Sequence, residues 1–218
     1  MARTHFDQKL KRLEEQLLRM GTQVSETLHL AVDSLARQDL DLARKIIEAD
    51  DHIDALDLKL EEDCLRLLAL QQPLAKDLRI ITTVLKAATD LERVADQAAN
   101  IAEITLRIGE EPLIKPLIDI PYMGVEVEEM IHFALEALVE RDAEKARQIC
   151  LQDELIDEQY ENLLLELMDY IQDGGDRKRM FQIMNLLFTA RFLERVGDHA
   201  VNIGERVIYL VEGVREKY

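Results

Sequence analysis

A chain of 218 residues with 44 acidic and 27 basic side chains has a formal net charge of −17, which excludes nucleic acid as a partner and disfavours an anionic membrane surface. Its 48% hydrophobic content suits one large or two small globular domains. Only 8 glycines, 4 prolines and no tryptophan, beside abundant Leu, Ala, Glu, Arg and Lys, point to an all-α protein. No apolar run approaches the roughly 18 residues of a membrane span, so no direct membrane insertion is expected. The N-terminal stretch MARTHFDQKLKRLEEQ lacks the apolar centre of a signal peptide. Cys64 and Cys150 are isolated thiols in apolar-periodic surroundings, expected to be buried and free in a reducing cytoplasm.

The first predicted helix runs from about Asp7 to Ala36, with an apolar stripe at Leu10, Leu13, Leu17, Met20, Val24, Leu28, Val32 and Leu35. Asp39 is placed to cap a second helix reaching about Leu70, which QQP ends. Pro73 suits the first turn of a third helix, which reaches about Ile108. Residues 109–121, GEEPLIKPLIDIP, hold three of the four prolines and read as a linker. Three more helices follow, over about Met123–Val139, Asp142–Ile171 and Asp176–Gly213, with DGGD at 173–176 as the last turn. Helices of ~45 Å joined this tightly must run antiparallel, so each half reads as an up-down-up three-helix bundle.

The two halves are copies. MGTQVSETLHLAVDSLARQDLDLARKI at 20–46 is matched by MGVEVEEMIHFALEALVERDAEKARQI at 123–149, an offset of 103 positions from Met20 to Met123. LERVADQAANI at 91–101 is matched by LERVGDHAVNI at 193–203, an offset of 102 from Glu92 to Glu194. The domain organisation is therefore residues 1–108, a linker at 109–121, and residues 122–218. Ala95, Ala98 and Ala102, with Gly197, Ala200 and Gly204 in the same places, read as small side chains for close helix packing.

Each copy carries acids four residues apart on two helices: Asp50 with Asp54 and Glu92 with Asp96, then Asp153 with Asp157 and Glu194 with Asp198. At that spacing both side chains share one helix face and repel by a few tenths of a kcal/mol. Asp57 and Glu61 extend the first acidic stripe. Facing stripes on antiparallel neighbours meet along a groove, and a bound cation is the simplest reason to repeat a mildly costly pattern. Oxygen-only donors suit Mg²⁺, Ca²⁺, Mn²⁺ or iron, and Zn²⁺ less well without His or Cys. His29 and His132 recur one position off the apolar stripe and read as bundle-edge residues rather than ligands. Arg93 and Arg195 read as partners of neighbouring acids. Asn100 and Asn202 stand either as outer ligands or as hydrogen-bond partners of the carboxylates. No nucleophile, Gly-rich loop or Walker-type Lys is arranged for turnover, so no enzyme is expected.

The duplicated unit, the paired acidic motifs and QPLAKDLR at 72–79 resemble the PhoU family of phosphate-transport regulators over nearly the whole chain. The resemblance implies two tandem three-helix bundles related by a pseudo-two-fold, and often a homodimer. It implies metal at Asp50, Asp54, Glu92, Asp96, Asp153, Asp157, Glu194 and Asp198, with iron, zinc, magnesium or manganese as the candidates. It also implies a negative regulator of the phosphate-starvation response, linking the ATPase subunit of a phosphate ABC transporter to a sensor histidine kinase. The alternatives are a carboxylate-bridged metalloenzyme, disfavoured by the absence of histidine in the motifs, and an iron-binding helical scaffold. DGGDRKRMF replaces QPLAKDLR in the second unit, and Phe192 replaces Asp90, which is expected to remove one acid beside the second site.

Overall fold

Apolar periodicity and side-chain capping define six long helices: α1 Ala2–Arg37, α2 Leu40–Gln71, α3 Ala75–Ile108, α4 Asp119–Glu140, α5 Ala143–Gln172 and α6 Arg177–Glu212. The computed structural model describes residues 2–172 and 176–218, with side chains from His5 onward. The glycines of the expected DGGD turn lie outside the described residues. The cap expected at Asp39 forms, and Asp142 and Asp176 cap α5 and α6 in the same way. Asp39 Oδ1 accepts from Leu42 N at 2.9 Å, Asp142 Oδ1 from Lys145 N at 3.0 Å and Asp176 Oδ1 from Arg179 N at 2.9 Å. Gln38 and Arg141, which are equivalent in the repeat, turn the chain into α2 and α5 with φ of 53° and 59°.

Boundaries shift in three places. α1 starts at Ala2 rather than near Asp7. Pro73 stands just ahead of the α3 N-cap, Leu74, instead of inside the first turn. α4 starts at Asp119 and takes in Pro121, whose missing N–H lies in the first turn, where no intrahelical partner exists. The remaining linker is pinned. Gln182 of α6 accepts from Ile114 N at 3.0 Å and donates to Pro112 O at 2.9 Å, and Lys115 pairs with Asp119 and Glu166.

Helices α1–α3 form one bundle and α4–α6 the other, and the two join through α3 against α6 and α1 against α4. Every residue of the predicted α1 stripe is buried. The joint has reciprocal contacts. Gly21 on α1 lies where a Cβ would meet Leu135 Cδ1 at 2.2 Å, and Gly124 on α4 where one would meet Val32 Cγ2 at 3.1 Å. Gly21 corresponds to Gly124 and Val32 to Leu135, so the contact repeats about a pseudo-two-fold axis. One apolar core runs through both bundles, and α2 and α5 lie outermost, each touching only the other helices of its own bundle.

A buried polar bridge crosses the joint. Asp90, buried on α3, accepts from Arg206 Nε at 2.9 Å and stands 3.1 Å from His199 Nδ1, both on α6. Replacing Asp90 by Ala strands a half-buried guanidinium. The expected loss is about 2–4 kcal/mol, below that of a fully buried pair because Arg206 retains solvent contact. Urea unfolding measures it, and a loss under about 0.5 kcal/mol would mean that the bridge adds nothing to stability.

Candidate metal centre

The acidic stripe of α2 faces α3, and that of α5 faces α6. In the first unit burial raises the Asp50 carboxyl above the usual carboxylate range, and Asp54, Asp96 and Asp51 raise it further. Glu92 is raised by burial and then by Asp96, Asp54 and Asp57, while Arg93 opposes the shift. Asp57 is raised in the same way, by burial and then by Glu61 and Asp54. The interactions of Asp50 with Asp96 and of Glu92 with Asp54 cross from helix to helix, so the four predicted acids share one groove. Arg93 spans the α3 side, 3.3 Å from Glu92 and 3.1 Å from Asp96.

The second groove is tighter. Burial first, then Asp157, Asp198 and Glu194, push the Asp153 carboxyl up to about 6. Glu194 is only 8% exposed and is raised by burial, then by Asp198 and Asp157, with Arg191 opposing. Asp153 Oδ1 and Glu194 Oε2 are both buried without a hydrogen-bond partner. Gly197 allows this depth, because a Cβ there would stand 2.8 Å from Asp153 Oδ1. The first unit has Ala95 at that position. Gly197 thus seats a carboxylate, whereas Gly204 does serve close packing, with a Cβ site 3.2 Å from the Ala146 carbonyl oxygen.

Several residues fall away from the expected pattern. Asp90 faces α6 rather than α2 and is no neighbour of the first groove, so Phe192 removes an inter-bundle anchor instead of an acid beside the second. The cation on Glu194 is Arg191, one turn earlier on α6, rather than Arg195. Its equivalent in the first unit is Thr89, so the repeat gave no signal for it. Asp57 and Glu61 have no acidic counterparts, since Tyr160 and Leu164 take those places. His29 lies exposed on the α1–α4 face, 3.3 Å from Glu128, apart from both grooves. Cys64 and Cys150 are free and buried, and burial pushes both thiols up to about 12.

Among the described residues no three His, Cys, Asp or Glu side chains are gathered closely enough to enclose a metal ion. The donor set nevertheless fits a hard cation. It offers carboxylate oxygens only, two of them buried and unsatisfied, and orphaned buried acceptors are costly. Asp54, Asp157 and Asp198 are exposed, so packing does not lock their rotamers.

The fold and the two acidic grooves define a class, the tandem three-helix bundles built from PhoU domains. The PhoU domain model matches residues 17–105 and again residues 120–207. The chain belongs to the PhoU family. It is 37% identical over 214 residues to the phosphate-specific transport system accessory protein PhoU homolog of Clostridium acetobutylicum, covering 98% of this chain and 97% of that one. It is 31% identical over 208 residues to the phosphate-specific transport system accessory protein PhoU of Escherichia coli K12, covering 95% of this chain and 86% of that one. The crystal structure of PhoU from Pseudomonas aeruginosa superposes with a TM-score of 0.90 at 35% identity, over 96% of this chain and all of that one (100%). The phosphate transport system regulatory protein PhoU from Streptococcus pneumoniae gives 0.91 at 33%, over 98% of this chain and 100% of its own.

Two predictions test the grooves. An acid whose carboxyl is raised on folding binds its proton more tightly in the folded state. Its contribution is therefore lost as pH climbs from the unfolded value near 4 through the folded value of about 6 for Asp153. Asp50, Asp57, Glu92 and Glu194 act in the same direction. Glu136 and Glu216 are lowered by Lys145 and Arg147 and act oppositely, but on the open surface, where pairs contribute little. Chelator-treated protein should thus have a higher urea midpoint at pH 4.5 than at pH 7, and Asp153→Asn should flatten the difference. A midpoint that rises with pH would reverse this assignment. Gly197→Ala should leave stability within about 1 kcal/mol, since better helix propensity offsets displacing one flexible carboxylate. It should also weaken cation binding at the second groove alone; unchanged binding in calorimetry would show that Asp153 needs no glycine beneath it.

Proposed function

We propose that this chain is a regulatory accessory protein of a phosphate transport system, a cytoplasmic adaptor that restrains phosphate-starvation signalling by contacting the transporter ATPase subunit and a sensor histidine kinase. Metal ions at Asp50, Asp54, Glu92 and Asp96, and at Asp153, Asp157, Glu194 and Asp198, set the shape of the adaptor. Iron, zinc, magnesium and manganese are the candidate ions, and a second copy of the chain is the expected homodimer partner. The single observation that carries the metal reading is the pair of buried, unpartnered oxygens on Asp153 and Glu194. A bound cation offsets the repulsion among four carboxylates and presents a Lewis-acid face to an anion. Membership of a family of transport accessory proteins supports the regulatory part. The outer helices also support an adaptor, because Leu58 and Leu65 on α2 and Leu151 and Leu155 on α5 are more than half exposed. No helix among the described residues is long and apolar enough to cross a membrane.

Elemental analysis of protein purified without added metal, beside Glu92→Ala/Asp96→Ala and Glu194→Ala/Asp198→Ala, tests the ligands. Each double variant should lose metal from its own groove and remain helical by circular dichroism. Pull-down of the transporter ATPase and the histidine kinase, with and without chelator, tests the adaptor. Retention of both partners with metal and loss of at least one without it is the expected result, and no capture under any metal condition would sink the reading.

A further inference from the structure

The first half of α3, the second half of α6 and residues 213–218 enclose a cavity of about 450 Å³ that contains none of the eight groove carboxylates. Its charged lining is Arg79, Lys86, Arg206, Arg215, Glu205 and Glu216. In a chain of net charge −17, four cations against two acids is a local inversion of sign. Arg206 is committed to Asp90, and Glu216 to Arg147 at 2.8 Å. Glu205 accepts the backbone N–H of Tyr218 at 2.9 Å. The other three cations have no carboxylate partner among the described residues. Arg79 donates its Nε to the Leu210 carbonyl at 3.2 Å, Arg215 lies over the Tyr209 ring at 5.5 Å, and Lys86 is exposed.

A second observation is independent of charge. Thr83, on the cavity wall, is only 3% exposed, and its hydroxyl has no hydrogen-bond partner. Its neighbours Thr82 and Thr89 give theirs to carbonyls of the preceding turn, at 3.0 and 3.3 Å. α3 also begins at this cavity. Ala75 is part of the lining, the N-cap Leu74 offers no side-chain bond, and Asp77 places an acid in the first turn.

The repeat supplies an internal comparison. The positions of Arg79, Thr82, Thr83 and Lys86 are taken in the second unit by Phe181, Met184, Asn185 and Phe188. Asn185 spends its amide on the Phe181 carbonyl at 2.7 Å. The helical frame is therefore satisfied without cations at these positions; the equivalent face has Arg107, Arg177 and Lys178 instead, of which Arg107 is paired with Glu103 and Lys178 with Glu111. We propose that the cavity between α3, α6 and the C-terminal residues binds a phosphate-class oxyanion, either orthophosphate or the phosphate groups of a phosphorylated small molecule. Arg79, Lys86 and Arg215 supply the charge, and the Thr83 hydroxyl supplies a neutral donor. This site is separate from the cation grooves and needs no metal.

Calorimetric titration of the chelator-treated full chain with orthophosphate, pyrophosphate and ATP, at constant ionic strength set by sodium chloride, tests it. Saturable binding of at least one probe is expected. Saturation by orthophosphate identifies the free anion as ligand, and saturation by only pyrophosphate or ATP identifies a phosphorylated molecule. Lys86→Ala removes an exposed side chain and should weaken binding about tenfold, and Thr83→Val, which preserves shape, by a few-fold. Lys178→Ala, at the corresponding cavity of the second unit, should change nothing. Absence of saturable heat with all three probes overturns the proposal, as does unchanged affinity in the Lys86→Ala/Arg215→Ala double variant. Chelation keeps a groove-bound cation from recruiting the anion, so failure here leaves the metal reading standing.

Discussion

Close approach of helix backbones is the constraint on which this molecule depends. Small side chains along α3 and α6 bring α2 and α5 near enough that acids on facing stripes lose water and feel one another across the seam. Neither effect follows from the acids alone. On an isolated helix two carboxylates a turn apart repel weakly and remain hydrated. Set against a second helix they become raised, partly buried and short of hydrogen-bond donors. The same packing that supplies apolar stability thus creates two places where positive charge is favoured.

The two grooves share an origin but differ in depth. The first keeps Arg93 across two of its acids and carries Asp57 and Glu61 as a longer open flank. The second exchanges that flank for Tyr160 and Leu164 and sinks Asp153 onto Gly197. The tighter groove has the orphaned oxygens, the shallower one the larger acid count. A duplicated sequence therefore provides two acidic grooves of unequal depth without any change of fold.

Much of this was legible in the sequence because it is local. Capping aspartates, the apolar stripe of α1 and the four-residue acid spacing are properties of single helices, and the structure keeps them. The repeat offset also made the two-bundle architecture readable. What escaped depends on which neighbour a helix face meets. Asp90 sits two residues from Glu92 on the same helix, yet it points to α6 while Glu92 points to α2, and only the arrangement of six helices decides that. Gly197 looked like helix packing because nothing in a linear pattern says that the atom above it is a carboxylate oxygen. Arg191 lacked a partner in the first copy, so comparison of the halves passed over it. The basic cavity draws residues from positions 75 to 216, a separation at which spacing carries no signal.

The Asp90 bridge has a consequence for the history of the duplication. Two copies of the first half, joined by the same axis, would set each Asp90 against Gln97 and Ile104, the counterparts of His199 and Arg206. Two copies of the second half would leave each Arg206 opposite Phe192, with no acid to answer it. Neither half retains the residues to repeat this bridge with a second copy of itself, so the duplicated units have become complementary rather than interchangeable.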